Sequence, residues 1–381
     1  MHMFRELYFD TAATTPLLNE VKQVLMESLD TYGNPSSLHR KGIDAQKRVE
    51  RARQQVLRTL GATGRVIFTA SGTEANNLAL FGIAQKYAQT PRHLVTTEIE
   101  HPSVLETCRA LERRGWRVTY VAPEADGRVE AQKVLAAVTS ETVLVSMMQV
   151  NNETGAILPI EEVGTALKAN PRVVFHVDGI QAFGKFKHGA KWADLYSLSG
   201  HKIGAPKGVG ALYTRPNLTL EPMLFGGGQE SGLRSGTENV LSITALGEAA
   251  KVAVEKRETA LNHTYGLAQS LVQGLAQIDG CVIQRTKEAS PYIVSAAFPG
   301  LKGEVLVHAL ETKGLYVSTG SACSSKGGHT KASHVLQAMK YSKRQIEGTI
   351  RFSVGSWHTM EDILDAVNIV QEQTRWLHSV V

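Results

Sequence analysis

Cysteine is scarce in this chain: three in 381 residues, at Cys108, Cys281 and Cys323. An odd, scattered set with no C-x-x-C pair excludes a disulfide framework and favours a reducing compartment. The N-terminus, MHMFRELYFD, has no apolar segment of the kind a secretory signal needs. No apolar run approaches membrane-spanning length. Internal repeats and low-complexity tracts are missing too. Charge of one sign is in small excess, 41 basic against 36 acidic residues, or +5. That argues against nucleic acid as the main ligand, while an acidic partner or a phosphate-bearing ligand is compatible with it. These absences predict a soluble cytoplasmic protein that neither enters a membrane nor binds nucleic acid directly.

What is present is a regular alternation. Strands are expected at 66–69, 93–97, 117–121, 143–148, 173–177 and 195–198, with a returning strand at 211–213. Helices are expected between them, over 74–87, 103–114, 131–138 and 161–169. Apolar β-branched runs separated by helices indicate an α/β fold with a mainly parallel sheet covered on both faces. Before it, apolar spacing predicts a short strand at 8–10, a helix over 17–32 capped by Gly33, and a helix over 43–60 ended by Gly61. After Gly226-Gly227-Gly228 the character changes. A long helical stretch covers 240–278, and short strands near 281–284, 293–298 and 350–354 alternate with helices. We expect a large domain over 16–260 and a smaller α+β domain made of 1–15 and 261–381.

In parallel α/β sheets, ligands bind at the carboxyl ends of the strands. There the chain places Ser71-Gly72-Thr73, His101, Asn152, Asp178 with Gln181, and Ser199-Gly200-His201-Lys202. Gly72 permits close approach, Thr73 offers a helix cap and a hydroxyl, and the helix N-terminus behind them suits a phosphate. His101 offers a ring to stack on a planar ligand. Asp178 closing an apolar run is a helix cap or the partner of a cation, such as a protonated pyridine nitrogen. Lys202 at the mouth of a buried strand is unusual, because burial drives a lysine toward the free amine that forms Schiff bases. Each residue has an ordinary structural explanation; together they describe a pocket for pyridoxal 5′-phosphate.

Competing motifs fail. Gly208-Val209-Gly210 lacks the third glycine of a dinucleotide fingerprint, since Tyr213 stands there. Gly179 to Lys185 matches a phosphate-loop spacing, but Phe186 occupies the position of the metal-binding hydroxyl. Cys323, His329 and His334 have no fourth zinc ligand at usual spacing, so no metal is expected.

The motifs YFDTAATTP, YGNPSS, SGTEANN, EHPSV, VNNETG, HVDGIQAFGK, SGHKIGAPKGVGALY, RSGTENV, GSACSS and IRFSVG occur in that order from about Tyr8 to Gly355. The chain thereby resembles the cysteine desulfurases of the NifS/IscS class, group I, which are fold-type I pyridoxal-phosphate enzymes. The resemblance implies a seven-stranded sheet, a homodimer, and conversion of L-cysteine to L-alanine with the sulfur taken up as a persulfide. It implies Lys202 as the Schiff-base lysine, Asp178 on the pyridinium nitrogen, Gln181 on the ring hydroxyl with Asn152 near, and His101 stacked on the ring. Gly72, Thr73, Ser199 and His201 would line the phosphate end, joined by Thr237 from the other subunit. Arg351, with Asn34 nearby, would take the substrate carboxylate; its fork can donate two bonds at once. The sulfur would pass to an acceptor protein, a scaffold for iron–sulfur clusters or a thiolation enzyme for tRNA or a cofactor.

The thiols separate by context alone. Cys108 shares helical spacing with Val104, Leu105 and Leu111, which predicts a core position. Cys281 starts an apolar strand. Cys323 sits in STGSACSSKGGHTKAS, a small polar loop (about 320–335) with Lys326, His329 and Lys331 near it, the setting of a reactive thiolate. The alternatives are a selenocysteine or cysteine-sulfinate lyase, which needs no protein thiol, and a non-catalytic sulfur-relay module, which needs none of Lys202, Asp178 and Arg351. A generic aminotransferase would need a keto-acid substrate that nothing marks. The short end after Trp376 hints at a thiolation enzyme as acceptor, and the basic set Lys326, Lys331, Lys340, Lys343 and Arg344 suits an acidic one.

Overall fold

The computed structural model describes residues 5–89, 92–187, 189–320 and 332–380. In chain order the strands are β1 (Leu7–Tyr8), β2 (Arg65–Thr69), β3 (His93–Thr97), β4 (Arg117–Val121), β5 (Thr142–Met148), β6 (Val174–Asp178), β7 (Leu195–Ser199) and β8 (Gly210–Thr214). Then come β9 (Val282–Ile283), β10 (Ile293–Ala297), β11 (Leu315–Tyr316), β12 (Ser318–Thr319) and β13 (Thr349–Ser353).

Seven strands form one sheet in the order β2-β8-β7-β6-β5-β3-β4. Its pairs are parallel except those of β8, which runs antiparallel to both β2 and β7. The mainly parallel seven-stranded sheet is thus the one formed. Every residue of β3, β5, β6 and β7 is buried, because helices cover both faces. That burial is why these strands read as continuous apolar runs rather than alternating ones.

A second sheet, β12-β13-β10-β9, is antiparallel throughout. It packs with a separate apolar cluster that includes Leu271, Val294, Phe352 and Ile363. The helix Val240–Ala276 joins the two cores: Val240, Ile243 and Leu246 belong to the first, Leu267, Leu271 and Leu275 to the second. The N-terminus belongs with the second sheet. β1 pairs in parallel with β11, and Asp10 forms a bridge with Ser353 at the end of β13.

The expected helix over 17–32 is shorter, Asn19–Ser28, and Gly33 is not its cap. A Cβ on Gly33 would lie 2.0 Å from the Lys41 carbonyl, so that glycine serves the packing of the loop on the next helix. That next helix, Arg40–Leu60, does end at Gly61, which adopts φ 62°. The expected strand at 8–10 shifts to Leu7–Tyr8. Among the described residues no helix is long and apolar enough to cross a membrane.

Candidate active site

The carboxyl ends of β2, β3, β5, β6 and β7 open into a cavity of about 850 Å3. Its lining includes Gly72, Thr73, His101, Asn152, Asp178, Gln181, Ser199, His201, Lys202 and Arg351. Ten residues nominated from the sequence are therefore brought together. Asn34 and Thr237 are not among the lining residues, and both are exposed. Cys323 lies outside the described residues, as do Lys326, His329 and Lys331.

Behind β2, the helix Gly72–Lys86 begins at the cavity wall. Ser71, not Thr73, is its cap: the Ser71 hydroxyl accepts from the Glu74 N–H at 3.1 Å. Thr73 is left exposed on the first turn. Gly72 lets the helix start lie close to Ile180: a Cβ there would stand 2.3 Å from Ile180 Cδ1, and that side chain would have to move. After β7 the chain makes a 3-10 turn, Gly200–Lys202, and reverses through Gly204 at φ 86°, a conformation that favours glycine.

The Lys202 ammonium donates to the carbonyls of Ala12 and Ala13, at 2.5 and 2.8 Å. Gln181 Nε2 donates to the same Ala12 carbonyl at 2.9 Å. Gln181 Oε1 is buried with no hydrogen-bond partner among the described residues. Asp178 accepts from the Ile180 N–H at 3.0 Å and from Asn76 Nδ2 at 2.7 Å. Burial raises the Asp178 pKa above the usual carboxylate value; those two bonds and the Lys202 charge oppose the shift.

His101 is pushed down to about 4, chiefly by burial and then by the charges of Lys202 and His334, so its imidazole is neutral at physiological pH. Burial and the Lys202 and Lys207 charges likewise hold His201 near 4, and His201 Nδ1 lies 3.2 Å from the Thr14 hydroxyl. Across the cavity Arg351, on β13, is 4% exposed. Its Nη2 donates to Asp10 at 2.9 Å and its Nη1 to the Asn152 carbonyl at 3.0 Å, while Nε is buried without a partner among the described residues. Beside it, burial raises Glu153 to about 7, and its carboxylate accepts from Ser333 Oγ at 2.5 Å.

The set fits pyridoxal 5′-phosphate. One end offers hydroxyls, an imidazole and a helix N-terminus for a phosphate; the other offers a carboxylate for a pyridinium nitrogen and a lysine for an aldehyde. The orphaned Gln181 Oε1 is an acceptor awaiting a hydroxyl donor, and the orphaned Arg351 Nε a donor awaiting an anion. A larger groove of about 1040 Å3, with Arg58, Lys168, Trp192 and Arg215 in its wall, lies at the opposite ends of the strands and holds no such acid–base set.

Several contributors carried no assigned role in the sequence. Asp10, Asn76, Ser103 and the Ala12-Ala13 carbonyls all touch nominated residues, and Glu153 shares the cavity wall with them. Asn76 had a signal: it is polar among Ala75, Leu78, Ala79 and Ile83 on a helix face that is otherwise apolar and buried.

The family model for class-V aminotransferases matches residues 7–365. A cysteine desulfurase IscS of Glaesserella parasuis serovar 5 (strain SH0165) is 39% identical over 378 residues, covering 96% of this chain and 92% of its own length. A solved NifS-like protein superimposes with a TM-score of 0.91 at 36% identity, covering 99% of this chain and 100% of that one. A structure described as SspA in complex with cysteine superimposes with a TM-score of 0.81 at 34% identity, covering 93% and 100%.

Proposed function

This chain belongs to the class-V aminotransferase family, among its cysteine desulfurases, and from that premise we propose how its residues divide the reaction. The observation that carries the reading is the meeting of Lys202, Asp178 and Arg351 in one cavity. L-Cysteine would bind with its carboxylate on Arg351, whose buried Nε and planar fork suit a carboxylate. Lys202, Asp178, Gln181, Thr73, Ser199 and His201, with His101, would hold pyridoxal 5′-phosphate, which when bound would supply an electron sink for the substrate's Cα electron pair. Lys202, once released to its free amine, takes the Cα proton. Asp178 stays anionic to keep its cationic partner protonated.

The Cys323 thiolate attacks the substrate sulfur. The thiolate's electron pair forms a sulfur–sulfur bond, the carbon–sulfur bond breaks, and the pair of that broken bond stays with carbon, which is protonated to give L-alanine. Cys323 is left as a persulfide for an acceptor protein, a scaffold or a thiolation enzyme. Lys340, Lys343 and Arg344 are exposed and basic, which suits an acidic acceptor surface.

We read the enzyme as a cytoplasmic homodimer, with residues 16–260 as its large domain and 1–15 with 261–381 as its small one. Leu38, Phe225, Tyr32, Met26 and Leu29 are 94%, 78%, 77%, 73% and 67% exposed, large apolar side chains of the kind a partner covers. Thr237, outside this cavity, would complete the site across that interface. The test is mass spectrometry of the protein after L-cysteine without acceptor or reductant. One extra sulfur on the peptide holding Cys323 is expected; an unmodified peptide with alanine still released would overturn the assignment.

A further inference from the structure

Asn76 stands one helical turn beyond Gly72 and is fully buried. Its amide has two N–H groups, and both are used: one reaches Asp178 Oδ2 at 2.7 Å, the other Ser103 Oγ at 2.8 Å. The amide orientation is fixed by this pairing. Flipped, it would set Oδ1 against the carboxylate, which cannot donate, and lose the bond to Asp178. Ser103 Oγ, accepting from Asn76, directs its own proton to His101 Nδ1 at 2.8 Å. The Ser103 backbone N–H points to the same nitrogen at 3.1 Å. Nδ1 thus accepts and cannot carry the ring proton, which leaves Nε2–H as the one donor of a neutral imidazole.

Three elements meet in this chain of bonds: the end of β6, the first turns of the helix Gly72–Lys86, and the start of the helix Pro102–Glu112. We propose that Asn76 and Ser103 are positioning residues that tie the Asp178 carboxylate to the His101 imidazole, aligning the one and fixing the Nε2–H tautomer of the other. The proposal rests on the reading of Asp178 and His101 as the two partners of the cofactor ring. The linkage makes those partners one unit: a shift of the carboxylate is felt by the imidazole, although the two side chains share no direct bond. Neither Asn76 nor Ser103 needs to touch the cofactor for this role.

Two readouts test it on the protein as purified. The first is the nitrogen resonances of His101, identified by their loss in His101→Gln. The second is the pH at which absorbance of the lysine-bound cofactor changes. Loss of Asn76 leaves Asp178 Oδ2 without a donor and raises that carboxylate's proton affinity, so the proton of the ring nitrogen would pass to Asp178. A less positive ring holds the nearby imine proton more tightly, so Asn76→Ala should raise that affinity about tenfold, or one pH unit. Ser103→Ala should shift the Nδ1 resonance and raise the proton affinity of His101 several-fold, and Ser103→Thr should restore both. The Asn76→Ala, Ser103→Ala double variant should fall short of the sum of its parts.

A purely structural role would lower the unfolding temperature and leave both readouts in place. Wild-type His101 carrying its proton on Nδ1, or both readouts unmoved in Ser103→Ala and Asn76→Ala, would overturn the proposal. Should Asn76→Ala not fold, the loss of one hydroxyl in Ser103→Ala, read by resonance alone, decides it. A chain that holds no cofactor would defeat the functional reading instead, while the tautomer is still measured without it.

Discussion

The Arg351 guanidinium and the Asp10 carboxylate, at opposite ends of the chain, lie 2.9 Å apart in a nearly closed pair. Asp10 holds one arm of the fork and the Asn152 carbonyl another, so the guanidinium is held in one orientation. Arg351→Lys keeps a charge but loses the fork. The KM for L-cysteine should rise about tenfold, roughly 1.4 kcal/mol, with a smaller change in kcat. Steady-state alanine release checks it. Asp10→Asn leaves a buried cation without its counter-charge. Its cost to stability should be on the order of 3 kcal/mol, seen in denaturant unfolding.

Thr237 assigned to the partner's site makes a complementation prediction. Lys202→Ala and Thr237→Ala chains, each weak or inactive alone, should recover activity when unfolded together and refolded. A mixed dimer then contains one site with both an intact Lys202 and an intact Thr237. No recovery would place Thr237 in its own subunit's site or outside any site.

Glu100 is buried, and burial raises its carboxyl to about 8 although Thr97 and the Met148 N–H donate to it. The folded state therefore keeps a proton that the unfolded chain releases near its ordinary 4.5. A raised carboxyl contributes stability below the unfolded value and loses it as pH rises through the folded one. Glu100→Gln carries no such titration. The unfolding temperature of the wild type should fall relative to that of Glu100→Gln between pH 6 and pH 9. A constant difference would contradict the buried proton.

Burial raises the Cys108 thiol well above its usual value and Cys281 to about 11, so both are mostly protonated near neutrality. A thiol-exchange reagent at pH 7.5 should find one fast-reacting cysteine per native chain, absent in Cys323→Ser. The other two should react after unfolding. Fast reaction in native Cys323→Ser would contradict this.

The sheet and the cavity lining were legible because burial on two faces and carboxyl-end loops leave marks a single chain can show. The runs at 93–97 and 117–121 match their strands end to end, and Lys202 followed β7 into the cavity as expected. What escaped was contact over long separations. Nothing local to Asp10 points to Arg351, and nothing near Ala12 says its carbonyl will face Lys202 and Gln181. Gly33 was mistaken for a cap because a glycine after a helical pattern looks the same whether it ends the helix or admits a neighbour's backbone. A cap at Thr73 is expected in place of Ser71 because two hydroxyls flank one glycine, and only the structure shows which one faces the Glu74 N–H.

The most direct test is alanine release from L-cysteine, with a reductant present, by wild type, Cys323→Ser and Lys202→Ala side by side. Alanine from the wild type alone is the predicted result: Lys202 then serves the carbon chemistry and Cys323 the sulfur. Alanine at full rate from Cys323→Ser would contradict the account and mark a lyase that needs no protein thiol.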